Sequence, residues 1–141
     1  MMCKSMSNHY ELEEGPVLSL DFSKLSKVVS GSGDVIPVVV QHALTKDVLL
    51  IAYVNQAALD ASLSTGVATF WSTSRRELWI KGASSGDFLD LKEARVNCEQ
   101  NSLLFLVIPR AGGSCHTKLP SGISRQTCFY RVIGDGRLAH P

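Results

Sequence analysis

The stretch Val35-Ile36-Pro37-Val38-Val39-Val40-Gln41, His42 to Lys46, Asp47-Val48-Leu49-Leu50-Ile51-Ala52-Tyr53-Val54, Asn55, and Gln56 to Thr65 closed by Gly66 decides the fold. β-Branched residues crowd Val35–Gln41, and Pro37 stands near its start, which marks a strand. Asp47–Val54 reads as a second, mostly buried strand. The polar segment His42–Lys46 between them makes a hairpin. Asn55 then offers its side chain as an N-cap, Gln56–Thr65 follows as a short helix, and Gly66 ends it. Ala58, Leu59, Ser62 and Leu63 form the expected inward stripe.

Working outward, Val67–Ser72 and Leu78–Lys81 read as strands around the polar turn Thr73–Glu77, and Phe88–Asn97 as another. Ser102–Pro109 is the most apolar strand. Arg110–Ser114 is a flexible connection, since Ala111-Gly112-Gly113 lies in it. Lys118–Ser124 is a loop, Cys128–Ile133 a final strand. Residues 1–33 are expected to be an N-terminal lead-in, with an amphipathic piece at Val17–Leu25 packing on the body. Residues 34–133 are expected to be the functional domain and 134–141 a C-terminal tail. The sum is an α+β domain of mostly antiparallel strands with one clear short helix. One small sheet with so many apolar strands has trouble covering both faces, and a dimer would solve that.

The bulk numbers narrow the function. At 141 residues, 45% hydrophobic and 19% charged, the chain reads as one globular domain. A net charge of +1 argues against binding a nucleic acid polymer, which needs a strongly basic field. No apolar run approaches the roughly 20 residues of a membrane span. The opening residues lack the apolar stretch of a signal peptide, so a cytoplasmic location is expected.

Three of the four cysteines sit in sequence contexts that suggest chemistry: Asn97-Cys98-Glu99-Gln100-Asn101, Ser114-Cys115-His116-Thr117 and Thr127-Cys128-Phe129-Tyr130-Arg131. Thiols in a chain with no secretion signal point to a soft metal before disulfides. Three protein ligands would leave a tetrahedral zinc one open position, the arrangement that activates water, and His116 could move the proton. The competing reading makes Cys98 and Cys128 small buried hydrophobes at strand ends. Cys3 is the odd cysteine, in a terminal segment. Phe70–Gly82 mixes two tryptophans with hydroxyls and cations. That set can stack a ring and hold phosphate oxygens, or can be a hairpin with a solvated turn. Ala83–Asp87 continues it with small residues that permit backbone N–H groups to approach an anion.

Taken together, Val48–Asn55, Phe70-Trp71-Ser72, Ser74-Arg75, Leu78-Trp79, Lys81-Gly82, Ser85-Gly86, Cys115-His116-Thr117 and Cys128–Arg131 resemble the phosphoribosyl-AMP cyclohydrolase family. The resemblance runs in one order from about Ile36 to Val132. It implies hydrolysis of the N1–C6 bond of the adenine ring of phosphoribosyl-AMP in histidine biosynthesis, by an intertwined homodimer with zinc at the subunit interface. Carried over, Cys98 of one chain and Cys115 and Cys128 of the other would bind each zinc, and His116 would transfer the proton. Trp71, Ser72, Ser74, Arg75, Trp79, Lys81, Gly82, Ser85, Gly86 and Arg131 would contact the phosphorylated purine-type nucleotide. The family also holds magnesium with a D-C-D-x-D motif, which falls here on Asn97, Glu99 and Asn101 around Cys98. Three carboxylates have become one, and amides are poorer magnesium ligands, which argues against an intact family-type site, although Glu99 with Asn97 and Asn101 could still hold a magnesium ion that substrate phosphates help to bind. Thr73 stands for a usual Arg, His42 for Asp, Asp87 for Asn and Lys118 for Gly, and the loop Lys118–Arg125 is longer than in the family. Two other readings stay open: a paralogous zinc hydrolase acting on a different purine-like heterocycle, and a catalytically silent zinc-stapled nucleotide-binding dimer.

Overall fold

The structure, a computed structural model, describes residues 10–140, with only the backbone of Ser32. Cys3 lies outside the described residues. The chain divides into two compact units, Ser23–Cys128 and a smaller one formed by residues up to Phe22 with those from Phe129 onward.

The larger unit is built on a four-stranded sheet. β1 (Ile36–His42) pairs antiparallel with β2 (Val48–Val54), and α1 (Lys24–Ser32) precedes them. α2 (Gln56–Thr65) follows, then the two-stranded ribbon β3 (Thr69–Ser72) and β4 (Glu77–Ile80), then β5 (Leu89–Val96) and β6 (Leu103–Pro109). The main sheet runs β2-β1-β6-β5, and its central pair β1–β6 is parallel, a finer point than the antiparallel pattern expected. Period-two burial explains the layering: Val38 and Val40 of β1 are fully buried, as are Phe105 and Val107 of β6. With Leu49, Leu50, Ala52, Val54, Ala58, Ala68, Phe70 and Leu89 they make one core.

The decisive stretch folds as its residues dictate. His42 shapes the turn after β1, its Nδ1 accepting from the N–H groups of Leu44 and Thr45 at 3.1 and 3.2 Å. Asn55 Oδ1 accepts from the Ala58 N–H at 2.9 Å, and Gly66, at φ 75°, donates to the Ser62 carbonyl. Ala58 and Ser62 are buried one turn apart, but Leu63 is exposed, so the inward stripe is narrower than expected. Ser62 is buried because its hydroxyl ties α2 to β3: it accepts from the Thr69 N–H at 2.8 Å and reaches the Thr69 carbonyl at 2.9 Å.

Three expectations need correction. α1 is a second helix, where one was expected; its sequence is poor in strong helix formers, and buried Val28 anchors it. Val17, Leu20 and Leu25 are exposed, so Val17–Leu25 is not a packed amphipathic piece. Cys128–Arg131 is not strand. In the smaller unit the strands are β7 (Val132–Gly134) and β8 (Arg137–Ala139), a hairpin closed by Asp135 and Gly136 at positive φ. Within that unit Val17 bridges to Arg137, and the Tyr130 hydroxyl donates to the Glu13 carbonyl at 2.8 Å. No helix among the described residues is long and apolar enough to cross a membrane.

Candidate active site

Two short segments bring a pair of cysteines together. The N–H groups of Ser114 and Cys115 both donate to the Arg125 carbonyl at 3.0 Å, and the Arg125 N–H donates to the Thr117 carbonyl at 3.0 Å. Residues 117–125 therefore fold back as a narrow tongue. Gly113 is required at its root, since a Cβ there would sit 2.6 Å from Ser124 Cβ and 2.7 Å from its carbonyl oxygen. Farther along, the Cys128 N–H donates to the Leu49 carbonyl at 2.8 Å and the Thr127 hydroxyl to the Val48 carbonyl at 2.8 Å. Cys128 is thereby fixed to the end of β2, facing Cys115.

The Cys115 and Cys128 thiols lie close enough to be coupled in their ionisation. Cys115 is buried, and the Cys128 residue is exposed. Interaction with Cys128, helped by the Thr117 hydroxyl at 3.0 Å, the Thr117 N–H and the neighbouring His116, lowers the Cys115 pKa to about 5 against the opposing effect of burial. Cys128, holding its proton against that thiolate and partly desolvated, is pushed far up. The first ionisation therefore belongs to the pair. His116 is exposed beside them.

A buried ammonium stands near the sulfurs. Lys81 is 5% exposed, and burial lowers its pKa, opposed by the charges of Asp87, Cys128 and Cys115. Asp87, also 5% exposed, accepts from the Ser124 hydroxyl at 2.7 Å, which in turn accepts from Lys118 Nζ at 2.7 Å. Three features that set this chain apart from its family resemblance, Asp87, Lys118 and the longer loop, form one hydrogen-bonded line. Gly82, at φ 93°, lets the turn after Lys81 lie against Asp87 and Phe88; a Cβ would come within 2.3 Å of their backbone. The Gly86 N–H closes that turn on the Gly82 carbonyl at 2.8 Å, and the Ser85 hydroxyl accepts from the Asp87 N–H at 3.2 Å.

The other expected site residues fall in several places. Ser72, Ser74 and Arg75 form one turn, with Ser72 Oγ accepting from the Arg75 N–H at 3.2 Å and lying 3.4 Å from Ser74 Oγ. Arg75 also reaches Glu77 at 3.6 Å. Trp71 is half-buried, and its indole N–H is the one buried side-chain N or O of the described residues without a hydrogen-bond partner. Trp79 leans on Phe70, ring centroids 5.8 Å apart. Arg131 belongs to the smaller unit, where it stacks on Tyr130 and donates to the Gly15 carbonyl at 3.2 Å. Thr117, Asp87, Ser124 and Lys118 were not among the expected site residues. Asp87 and Lys118 were visible only as departures from the family pattern, and nothing in spacing links position 87 to position 124.

Cys98 stands apart. It is exposed, and among the described residues no three His, Cys, Asp or Glu side chains gather as a metal-holding group. Its loop is closed by Asn97, whose Oδ1 accepts from the N–H groups of Asn101 and Ser102 at 2.8 and 3.0 Å and whose Nδ2 donates to Asn101 Oδ1 at 2.6 Å. The donor sets therefore differ in fit. A coupled thiolate and thiol suit a soft metal such as zinc, short of a third ligand. Two amides bonded to each other do not suit magnesium.

A mixed sheet that carries an activated thiol pair beside an imidazole and a buried ammonium marks the chain as an enzyme. Residues 50–130 match the family described as phosphoribosyl-AMP cyclohydrolase. The phosphoribosyl-AMP cyclohydrolase of Methanothrix thermoacetophila is 42% identical over 114 residues, 81% of this chain and 88% of the relative. That of Erythrobacter litoralis is 40% identical over 128 residues, 91% and 90% of the two chains. That of Desulfatibacillum aliphaticivorans is 35% identical over 122 residues, 86% and 87%. The chain belongs to the phosphoribosyl-AMP cyclohydrolase family, hydrolases of a cyclic amidine C–N bond.

Proposed function

We propose that this chain opens the adenine ring of phosphoribosyl-AMP by hydrolysis of the N1–C6 bond, in histidine biosynthesis, as a zinc-dependent cytoplasmic homodimer. The observation that carries the reading is the Cys115–Cys128 pair beside His116 and buried Lys81. Cys115 and Cys128 of one protomer and Cys98 of its partner would hold the zinc. Bound there, zinc supplies the Lewis acidity that makes water a nucleophile near neutral pH. His116 takes the proton from the attacking water as its oxygen bonds to C6, then returns a proton to N1 as the C6–N1 bond breaks. Lys81, Arg75 and the backbone of Gly82–Gly86 are suited to the phosphates. The unpartnered Trp71 N–H offers the nucleotide a donor.

Self-association is supported by two features. Among the described residues one chain brings two sulfurs together and leaves the third, Cys98, exposed elsewhere. Leu78 and Ile80 are exposed along an apolar groove lined also by Ala61, Val67 and Phe88. A second reading, a paralogue for a different purine-like ring, draws on the line Lys118–Ser124–Asp87, because all three belong to departures beside the thiol pair.

The test is turnover of phosphoribosyl-AMP by purified, zinc-loaded protein, followed by appearance of the ring-opened product. Turnover lost in Cys115→Ala together with zinc, and lost in His116→Ala with zinc retained, is the expected result. Absence of turnover with zinc confirmed at about one per chain, the stoichiometry of a site shared across a two-fold axis, would overturn the reading in favour of the paralogue.

A further inference from the structure

The Asn97–Asn101 loop joins β5 to β6 and carries Cys98. In the family resemblance its two outer positions are carboxylates. Two carboxylates whose oxygens lay 2.6 Å apart would repel strongly, and a bound cation is the usual remedy. Here every polar group of Asn97 is already used inside the loop. Its N–H donates to the Ser102 carbonyl at 3.1 Å, and its carbonyl accepts from the Gln100 N–H at 3.1 Å. Its Oδ1 accepts from two backbone N–H groups, which fixes the amide orientation and turns Nδ2 toward Asn101. Asn101 can then present only its oxygen. The bond closes a ring of partners in which the two outer side chains face each other as donor and acceptor, as two carboxylates could not. Gln100, at φ 55°, takes the left-handed conformation inside this turn.

We propose that the Asn97–Asn101 amide clasp takes the place of a divalent cation, so that this chain holds the Cys98 loop in shape without magnesium. The clasp needs one donor facing one acceptor. Asn97→Asp alone keeps the two Oδ1 bonds, and Asn101 can rotate its amide to donate. Asn101→Asp alone keeps the Asn97 Nδ2 donor. Only Asn97→Asp with Asn101→Asp removes every donor and recreates the need for a cation. The signature is therefore non-additive, which distinguishes the clasp from simple loss of two side chains.

The experiment uses the full-length, zinc-bearing protein in buffer freed of other divalent ions by a chelating resin, with melting temperature and titration calorimetry read against MgCl2 and against NaCl of equal ionic strength. Wild type and both single variants are expected to melt alike with and without magnesium and to give no binding heat. The double variant is expected to lose on the order of 4 °C in Tm without magnesium, regain it with MgCl2, and bind one magnesium per chain. If it fails to fold without magnesium, recovery on refolding in MgCl2 is the same result in stronger form. Asn101→Ala, which opens the clasp without adding charge, is expected to melt lower and to ignore magnesium. Magnesium binding to the wild type, a double variant as stable as wild type in its absence, or one that magnesium does not rescue would each overturn the proposal. None of these readings requires turnover, so they stand whatever the reaction proves to be.

Discussion

Replacing Asp87 with alanine tests the electrostatics of the site most directly. Asp87 and Lys81 are both almost fully buried, and the carboxylate raises the ammonium's pKa against the larger effect of desolvation. Truncation leaves the buried Lys81 charge with the attraction of the cysteine pair and the repulsion of Lys118, and at an effective dielectric of about 20 the lost attraction is on the order of 1–3 kcal/mol. It also strands the Ser124 hydroxyl, whose bond to a carboxylate is of the class worth about 1.5–3 kcal/mol. The two losses overlap, and the Cys115 thiolate offsets part of the first, so about 3 kcal/mol is expected, or about 10 °C in Tm for a chain of this size. Asp87→Asn keeps an acceptor for Ser124 and should lose about half as much. Ser124→Ala, which keeps the charges, should lose about 1 kcal/mol. The sign of the pH dependence follows from Lys81. Between its lowered native pKa and the ordinary 10.5 the unfolded chain binds more protons, so stability rises with pH in that window. Asp87→Ala removes a raising influence, widens the window and starts the rise at lower pH. Urea melts with unchanged m-values are the assay. A loss below about 1 kcal/mol, or no recovery when Lys81→Met is added to Asp87→Ala, would refute the reasoning.

In metal-free protein the ultraviolet absorbance of thiolate should rise with a first step near pH 5, a property of the pair, and Cys128→Ala should move that step upward by removing the coupled partner. Because the native value is depressed, the stability this group contributes is complete only above the ordinary thiol value of 9.0 and is lost as pH falls through about 5; a single step near 9.0 would contradict the coupling of the two sulfurs. Asn55→Ala should destabilise by about 1 kcal/mol while Asn55→Ser stays close to wild type, since only the former removes the acceptor facing the Ala58 N–H; equal losses in thermal melts would mean the cap contributes nothing. Cys98→Ala and Cys115→Ala should each be inactive, yet an equal mixture unfolded and refolded together should regain about a quarter of wild-type turnover, because half the dimers are mixed and each holds one intact site of two. No regain, with mixed dimers verified, would mean that Cys98 does not act across the subunit boundary.

What the sequence made legible was local. The hairpin, cap, helix and glycine stop of Val35–Gly66 each rest on signals a few residues apart, and each is present. α1 was hidden because Lys24–Ser32 carries two serines before a glycine and few strong helix formers, and buried Val28 anchors it. The β7–β8 hairpin had a visible mark in Gly134-Asp135-Gly136, an Asp-Gly turn passed over because the flanking strands are three residues each. The parallel β1–β6 pairing could not be read, since it joins positions about 65 residues apart through alternation alone.

The site divides along the same line, and the division bears on how it works. Residue identity could nominate Cys98, Cys115 and Cys128, but only the chain's path shows that they are not equivalent. Arg125 and Leu49 pin two of them face to face, while the third rides on a loop closed by its own amides and is exposed. A soft metal on the Cys115–Cys128 pair alone would lack a protein ligand. The missing sulfur can come from nowhere else among the described residues, because no third His, Cys, Asp or Glu joins the pair. Cys98 can be that ligand only if a second copy delivers it, and then the rigidity of its loop matters as much as the thiol. A loop that needed magnesium would tie zinc affinity to magnesium supply. A loop closed by Asn97 and Asn101 removes that dependence, so zinc affinity in this chain should be the same at any magnesium concentration. Competition with a chromogenic chelator, run with and without MgCl2, measures this directly, and a magnesium-dependent zinc affinity would break the link drawn between the clasp and the site.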